Sequence, residues 1–253
     1  MIRLETWDLV LLAVVSLQGT LLAYLPHPKW KALIMTLPIP FTLASLAVGA
    51  PINATHVVAL NLLLAYTHGV RLFHDRFKLP ILLAIFLSAG GYVLAGALLR
   101  PIVPRTAAAF WTACVVTLFI AGAAHALFRL RREPDHRSHL PVWIKLPIVA
   151  GVILALILLK RVLGGFMTMF PMVGVVASYE ARSCLGSVCV ALPDFMFAMV
   201  PMFVVVRLLQ PGLGLGVALA AGWVVFLPML TPLIRDFWGA KPEEADRAGI
   251  SGR

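Results

Sequence analysis

The sequence predicts an all-α fold, a polytopic transmembrane helix bundle of about nine spans with almost no soluble portion. The first observation is composition, since 61% of the residues are apolar, only 13% are charged and the mean hydropathy is +0.95. The second is that apolar runs of about 20 residues, enough to cross about 30 Å of hydrocarbon, recur along the chain. The third is that these runs are continuous rather than alternating, which excludes membrane strands and favours helices.

Nine apolar runs define the predicted spans. The first begins near Asp8, behind Glu5, and lacks the basic n-region and small-residue cleavage site of a signal peptide, so we expect it to remain as a span. The seventh is the weakest as a straight helix, because Gly164, Gly165 and Pro171 interrupt it. The predicted spans are 8–25, 30–49, 54–73, 79–99, 107–128, 142–159, 163–179, 185–209 and 212–234.

Lysine and arginine are divided unevenly between the two ends of these spans. One end carries only Arg3, Arg100, Arg105, Lys160, Arg161 and Arg207, and the other carries the remaining fifteen of the 21. The positive-inside rule then places the N-terminus outside and the C-terminus in the cytoplasm. With its short loops, the chain is expected to be a multi-pass protein of the inner (cytoplasmic) membrane. The segment Arg129–His139 is the predicted main cytoplasmic loop, and the polar tail from Lys241 is predicted to be disordered.

The net charge of +10 does not indicate a nucleic-acid partner. The basic residues lie in short loops between apolar runs, where they act as topology signals and contact anionic lipid headgroups. Cys114, Cys184 and Cys189 make no disulfide framework, and Cys184 and Cys189 are expected to be reduced in a cytoplasmic loop. No nucleophile–base set is found, so the chain is not expected to be an enzyme, and no cofactor is predicted.

The two halves of the sequence look alike when one is moved by 133 positions, so that Pro38 falls on Pro171 and Asn61 on Asp194. Four spans on each side of a fifth would make the second unit inverted, an arrangement typical of transporters that open to alternate sides. A duplicated structural bundle without a pathway remains the alternative. The predicted divisions are 1–104 (first repeat), 105–140 (linker helix and cytoplasmic loop), 141–236 (second repeat) and 237–253 (disordered tail).

Each unit also resembles the small GlpM-like inner-membrane protein family. The matching stretches are Lys31–Phe73 (KALIMTLPIPFTLASLAVGAP…NLLLAYTHGVRLF) and Gly164–Leu209 (GGFMTMFPMVGVVASYEARS…DFMFAMVPMFVVVRLL). Both have an apolar helix with a proline near its middle, a short polar turn and a long helix with aromatic residues. The resemblance implies small bundles in a fused pair, and no binding or catalytic residue is carried over.

Asp194 is the only acidic residue that the prediction puts deep in a span. A charge near the bilayer centre costs about 2.5–3.5 kcal/mol on insertion scales, so such a group usually faces protein or water. Pro193 frees the carbonyl four residues earlier, at Cys189, and a carboxylate beside that loosened turn can hold a proton, a sodium ion or a cationic substrate. Asn61 would complete the site from the opposite unit. The alternative is a protonated Asp194 that hydrogen-bonds to a neighbouring helix for packing.

Prolines are a second indication of transport. Broken helices with exposed carbonyls coordinate ions and absorb hinge motion in transporters, although prolines are also simply common in membrane helices. The prolines concerned lie in the second and third helices of each unit: Pro38, Pro40, Pro171, Pro193 and Pro201.

Two functions follow from these patterns. The first is a secondary transporter or lipid flippase of unknown substrate, coupled to protons through Asp194. The second is a non-transporting subunit or scaffold of a membrane complex, with self-association left open. In a haem-binding variant of the scaffold, His68 and His125 at similar depth on different helices would ligate the iron.

Overall fold

The computed structural model describes residues 5–24, 34, 36–127, 142–180, 182 and 185–239. Throughout these residues the chain forms helices and the turns between them, without any strand, so the all-α prediction is confirmed for this part. The predicted loop Arg129–His139 and the tail from Lys241 lie outside the described residues. So does the beginning of the predicted second span.

Among the described residues of the first half, the elements with defined bounds are four α-helices and one π-helical turn. They are α1 (Thr6–Tyr24), α2 (Ile39–Val48), α3 (Ala54–Arg71), the π-helical turn (Leu72–Arg76) and α4 (Ile81–Leu99).

Two N-terminal caps explain where α1 and α3 begin. At α1 the carboxylate of Asp8 accepts a hydrogen bond from the backbone N–H of Glu5 at 2.9 Å. At α3 the side chain of Asn53 accepts from Thr55 N at 3.0 Å, and His56 Nδ1 accepts from Asn53 N at 3.2 Å. Both caps satisfy backbone donors that have no partner within the helix, and they fix the loops that precede it.

From residue 107 onward, the described part of the chain contains four α-helices and one 3₁₀ segment. They are α5 (Ala107–Leu127), α6 (Val142–Leu163), the 3₁₀ helix (Gly164–Met169), α7 (Met172–Glu180) and α8 (Leu185–Gly239).

Helix α8 is folded back on itself at Gly214, whose φ of 77° and ψ of 163° are not helical. The rings of Phe195 and Phe226 lie 6.2 Å apart. A straight helix would separate these residues by about 46 Å. The two arms, residues 185–213 and 215–239, therefore pack as an antiparallel hairpin and correspond to the predicted eighth and ninth spans.

The predicted second and seventh spans are not straight helices. The chain breaks at Pro38 before α2 and at Pro171 before α7, and the part preceding Pro171 is a 3₁₀ helix. The two short helices that follow, of 10 and 9 residues, extend only about 15 Å each, half of the hydrocarbon thickness. Proline accounts for both breaks, since it lacks the N–H that would continue the helix.

Three helical stretches among the described residues are long and apolar enough to cross a membrane. They are Ile81–Leu99, Ala107–Leu127 and Val188–Thr231, and the last contains the turn of the hairpin. Large apolar side chains on these helices point away from the bundle, with Phe86 and Phe119 exposed by 74% and 77%. Such an exterior is compatible with a lipid environment.

Helix α3 lies at the centre of the bundle, where it contacts α4, α5, the 3₁₀ helix and α8. Helix α1 packs against α2, α6 and α7. Helix α5 lies against both α3 and α8, and this contact brings together the polar side chains considered next. The core between these helices is apolar and includes the fully buried rings of Phe110, Phe166, Phe203 and Phe226.

Candidate functional site

Asp194 on α8 forms an ion pair with His125 on α5. The distance from His125 Nδ1 to Asp194 Oδ1 is 2.9 Å, and the two side chains are 61% and 23% exposed. A carboxylate and an imidazole in hydrogen-bonding contact can exchange a proton. The pair therefore joins two membrane-length helices through groups that can carry charge.

Close packing of α5 on α8 brings these groups together. The rings of Phe197 and His125 are nearly perpendicular, with centroids 6.5 Å apart. A Cβ at Gly122 would lie 4.0 Å from the Phe197 ring, an ordinary van der Waals contact, so the two helices are close enough here to touch through small side chains. Small residues let helix backbones approach closely in membranes.

Asn61 on α3 also bonds to α5, at Thr117, eight residues before His125. Its side-chain N–H donates to Thr117 Oγ1 at 2.8 Å, and Thr117 is fully buried. The Asn61 Oδ1 atom is also buried and has no hydrogen-bond partner among the described residues. A buried acceptor without a partner costs free energy, so this atom is available to a water or a ligand donor.

The structure does not join Asn61 and Asp194 in one direct contact. Both bond to α5, but their partners Thr117 and His125 are eight residues apart. That separation corresponds to about 12 Å along the helix axis. Asn61 and Asp194 thus bond to α5 at two depths and at positions about 80° apart around its axis, and their roles as binding residues stay predictions.

Pro193 is buried next to Asp194 in α8 and supplies no N–H to the carbonyl of Cys189. The thiol of Cys189 donates to the backbone carbonyl of Thr67 on α3 at 3.6 Å. This turn of α8 is therefore attached to α3 on one side, while Asp194 bonds to α5 on the other.

At Pro38 and Pro171 the carbonyl released by the proline has a hydrogen-bond partner. The carbonyl that Pro38 leaves without a helical partner is that of Ile34, and it accepts a hydrogen bond from Gln18 Nε2 at 3.0 Å. The corresponding carbonyl before Pro171 is that of Met167, which accepts from Phe170 N at 3.1 Å. Protein groups thus satisfy both carbonyls. In this conformation the two prolines shape the helices and leave no free carbonyl there as an ion ligand.

The histidine arrangement differs from the one considered for haem. His125 bonds to Asp194, whereas His68 Nδ1 contacts the carbonyl of Leu64 on its own helix at 3.0 Å. Among the described residues, no three or more His, Cys, Asp or Glu side chains cluster as a metal site would require.

Sequence reasoning missed three partners at this site: His125 for Asp194, Thr117 for Asn61 and Gln18 for Ile34. Asp194 and His125 had both been noticed, but as members of different hypotheses. Their positions along the two predicted spans are compatible with a contact. The contact itself follows only from the packing of α5 on α8.

The chain matches no protein-family model, and comparison with curated proteins and with solved structures gives no match.

Proposed function

We propose that this chain is a multi-pass inner-membrane secondary transporter or lipid flippase, with Asp194 and His125 as its proton-carrying pair. The observation that carries the proposal is their 2.9 Å ion pair between α5 and α8. Ionisable groups on membrane helices are costly to insert and typically mark proton or substrate pathways.

The proposal includes nine spans that run alternately up and down. In that arrangement the N-terminus and the loops after spans two, four, six and eight share one face. Glu5, Asn53 and Arg100 from these segments line a single cavity with Gly164 and Arg207, which lie at the adjoining ends of spans seven and eight, and this supports the arrangement. The three long apolar stretches support the membrane environment.

The proposal also keeps two inverted units, for which the local geometry at the prolines is the support. Pro38 and Pro171 each end a broken segment, and each carbonyl accepts the N–H four residues on, at 2.9 Å and 2.8 Å. A short helix follows in both cases, and then a long helix, α3 or α8, that contacts α5. The units resembling the GlpM-like family coincide with these segments.

The remaining parts of the proposal come from the sequence. The N-terminus faces outside, the C-terminus is cytoplasmic, and cytoplasmic basic residues contact anionic headgroups. No enzymatic activity, nucleic-acid partner or cofactor is proposed.

The test uses purified protein in liposomes that contain a trapped pH-sensitive dye. Amino acids, organic acids, sugars and phosphate esters are added outside in turn, and flipping of labelled phospholipids is followed in parallel. We expect at least one compound or lipid to drive proton movement with the wild-type protein. Asp194→Asn should abolish this movement while still inserting, because a side-chain amide neither takes up nor releases a proton near neutral pH.

Asp75→Asn is the matched control, because it removes a carboxylate from an exposed ion pair with Arg71. It should behave like the wild type. Normal proton movement in Asp194→Asn would show that the assigned role of Asp194 is wrong. An inert wild-type protein that co-purifies in fixed ratio with another membrane protein would favour the scaffold function instead.

A further inference from the structure

A cavity of about 510 Å³ lies at the end of the bundle where α1 and α3 begin. Its walls come from five separate parts of the chain. These are the residue before α1, the end of α2 with the connection to α3 and its first turn, the α4–α5 connection, the first residues after α6, and one residue of α8. The exposed residues Glu5, Pro51 and Arg105 are among its lining, so it is reachable from solvent. Its size falls in the range of small-molecule sites.

Three arginines line this cavity: Arg100, Arg105 and Arg207. Glu5 also lines it, with the one carboxylate among the described lining residues, so the wall carries a net positive charge. These arginines belong to the few basic residues at the less basic end of the bundle. Their convergence on one cavity is therefore not explained by the positive-inside rule.

Two of the guanidinium groups are held in position by the fold. Arg100 Nη1 donates to the carbonyl of Val162 at 2.9 Å. Arg207 Nη1 donates to the carbonyl of Ile52 at 3.0 Å, and its guanidinium lies 5.7 Å from the centre of the Phe110 ring. A guanidinium has five N–H donors in a fixed plane, so the bond from Arg207 to Ile52 positions that group and leaves further donors on it.

The backbone around the cavity also favours an anion. Asn53 and Thr55 place the positive end of the 18-residue helix α3 at the wall. Gly164 has a φ of +54°, and a Cβ there would lie 3.1 Å from Arg100 Nε. The glycine thus allows the Arg100 side chain to lie against the backbone.

We propose that this cavity binds a phosphate-bearing anion between Arg100, Arg105 and Arg207. Several planar guanidinium groups around one space match the oxygens of a phosphate group, which accept paired N–H bonds. If this anion is the transported substrate, that part of the inference rests on the proposed transport function. The phosphate belongs either to a soluble phosphate ester or to a lipid headgroup, and the two sources share the same chemistry at the site.

The test measures binding to the full-length protein in detergent by titration calorimetry and by the shift in unfolding temperature. The probes are inorganic phosphate, glycerol phosphate and short-chain phosphatidic acid, with chloride at equal ionic strength as the blank. We expect saturable binding of at least one phosphate probe. A response to glycerol phosphate identifies a soluble ester, and a response to phosphatidic acid alone identifies a headgroup.

Arg105→Gln is the principal variant, because Arg105 is exposed and its loss should not disturb the fold. It should weaken binding about tenfold or more, as expected for a charge-assisted hydrogen bond. Arg207→Gln should do the same. The matched control is Arg76→Gln, which removes the same charge from an exposed position in the π-helical turn and should bind like the wild type.

The absence of saturable binding to any phosphate probe would overturn the proposal. So would equal weakening in Arg76→Gln and Arg105→Gln, since that would mean attraction to overall charge. Binding in detergent requires no transport, so the two proposals fail separately. Absent binding with intact Asp194-dependent proton movement removes only the anion site, and binding by a protein that moves nothing removes only the transport function.

Discussion

At the scale of single residues, the molecule places polar groups inside an apolar bundle and gives most of them a specific partner. Asp194 bonds to His125, Asn61 to Thr117, and the carbonyl of Ile34 to Gln18. In a membrane such contacts are worth about 0.6–2 kcal/mol each. These contacts therefore contribute more to which helices pair with each other than to the overall stability of the bundle.

The Gln18 contact gives a prediction at this scale. Gln18→Leu leaves the Ile34 carbonyl without its partner and should lower the free energy of unfolding by about 1–3 kcal/mol. In a Pro38→Ala background, the new N–H at position 38 can bond to Ile34 O, so the same change should cost less. Unfolding in detergent of the four proteins of this double-mutant cycle measures the coupling.

Thr20→Val provides the control for that cycle, because Thr20 bonds only to Ser16 O within α1 and does not reach Ile34. Its cost should be the same with proline or alanine at position 38. If Gln18→Leu is just as costly in both backgrounds, the role assigned to the Gln18 contact is wrong.

Sequence reasoning found the residues of this site but not their pairs. Asp194 and Asn61 were identifiable because they are polar in apolar runs, a property of each residue alone. That Asp194 meets His125, while Asn61 meets Thr117 about 12 Å away, depends on the rotation and offset of α3 and α8 against α5. Apolar helices contain too little periodicity to fix that rotation, because lipid-facing and core-facing residues have the same character.

At the scale of helices, continuous elements were predicted well and broken ones poorly. The predicted spans 79–99 and 107–128 agree closely with α4 and α5, because their ends carry proline and polar residues. The prediction of a helix over 163–179 misses the 3₁₀ segment Gly164–Met169, although Gly164, Gly165 and Pro171 pointed to an interruption. A hydropathy profile shows how long an apolar run is. It does not distinguish a 3₁₀ helix from an α-helix.

The 3₁₀ segment gives the prediction at this scale. Gly165 lies directly on the first turn of α3, where an added Cβ would clash with Thr55 and lie 2.8 Å from His56 Cε1. Gly165→Ala should therefore destabilise the protein by about 1–3 kcal/mol through overpacking. The measurement is the unfolding temperature in detergent.

Gly90→Ala is the matched control, because a Cβ at that position of α4 meets no atom within 4 Å. It should leave the unfolding temperature unchanged or raise it, since alanine favours a helix over glycine by about 1 kcal/mol. Equal effects of the two substitutions would argue against the close contact between the 3₁₀ segment and α3.

At the scale of the whole molecule, the two ends of the bundle have different chemistry. One end gathers Arg100, Arg105 and Arg207 around a cavity, and the ion pair of Asp194 lies deeper, 13 residues before Arg207 on α8. That spacing corresponds to about 20 Å. Under the proposed functions, an anion enters at the arginine cavity and the proton-carrying pair lies further along the same helix.

Sequence reasoning placed these arginines on one face through the alternation of spans, and they line one cavity. It treated them as topology signals, because a charge count contains no information on distances within a face. The cavity depends on how α1, α3 and α8 pack around the Gly164–Gly165 turn.

Cysteine labelling in intact cells with a membrane-impermeant thiol reagent tests the central claim, a bundle that crosses the membrane with its arginine cavity outside. Single cysteines replace Ile102, Gly212 or Phe77, all exposed, in a protein whose native cysteines are alanines. Ile102 and Gly212 lie at the cavity end, and Phe77 lies beyond the other end of α4, about 28 Å away. We expect labelling at positions 102 and 212, and at position 77 only after permeabilisation. Equal labelling at 77 and 102 in intact cells, or labelling at 77 alone, would contradict the account.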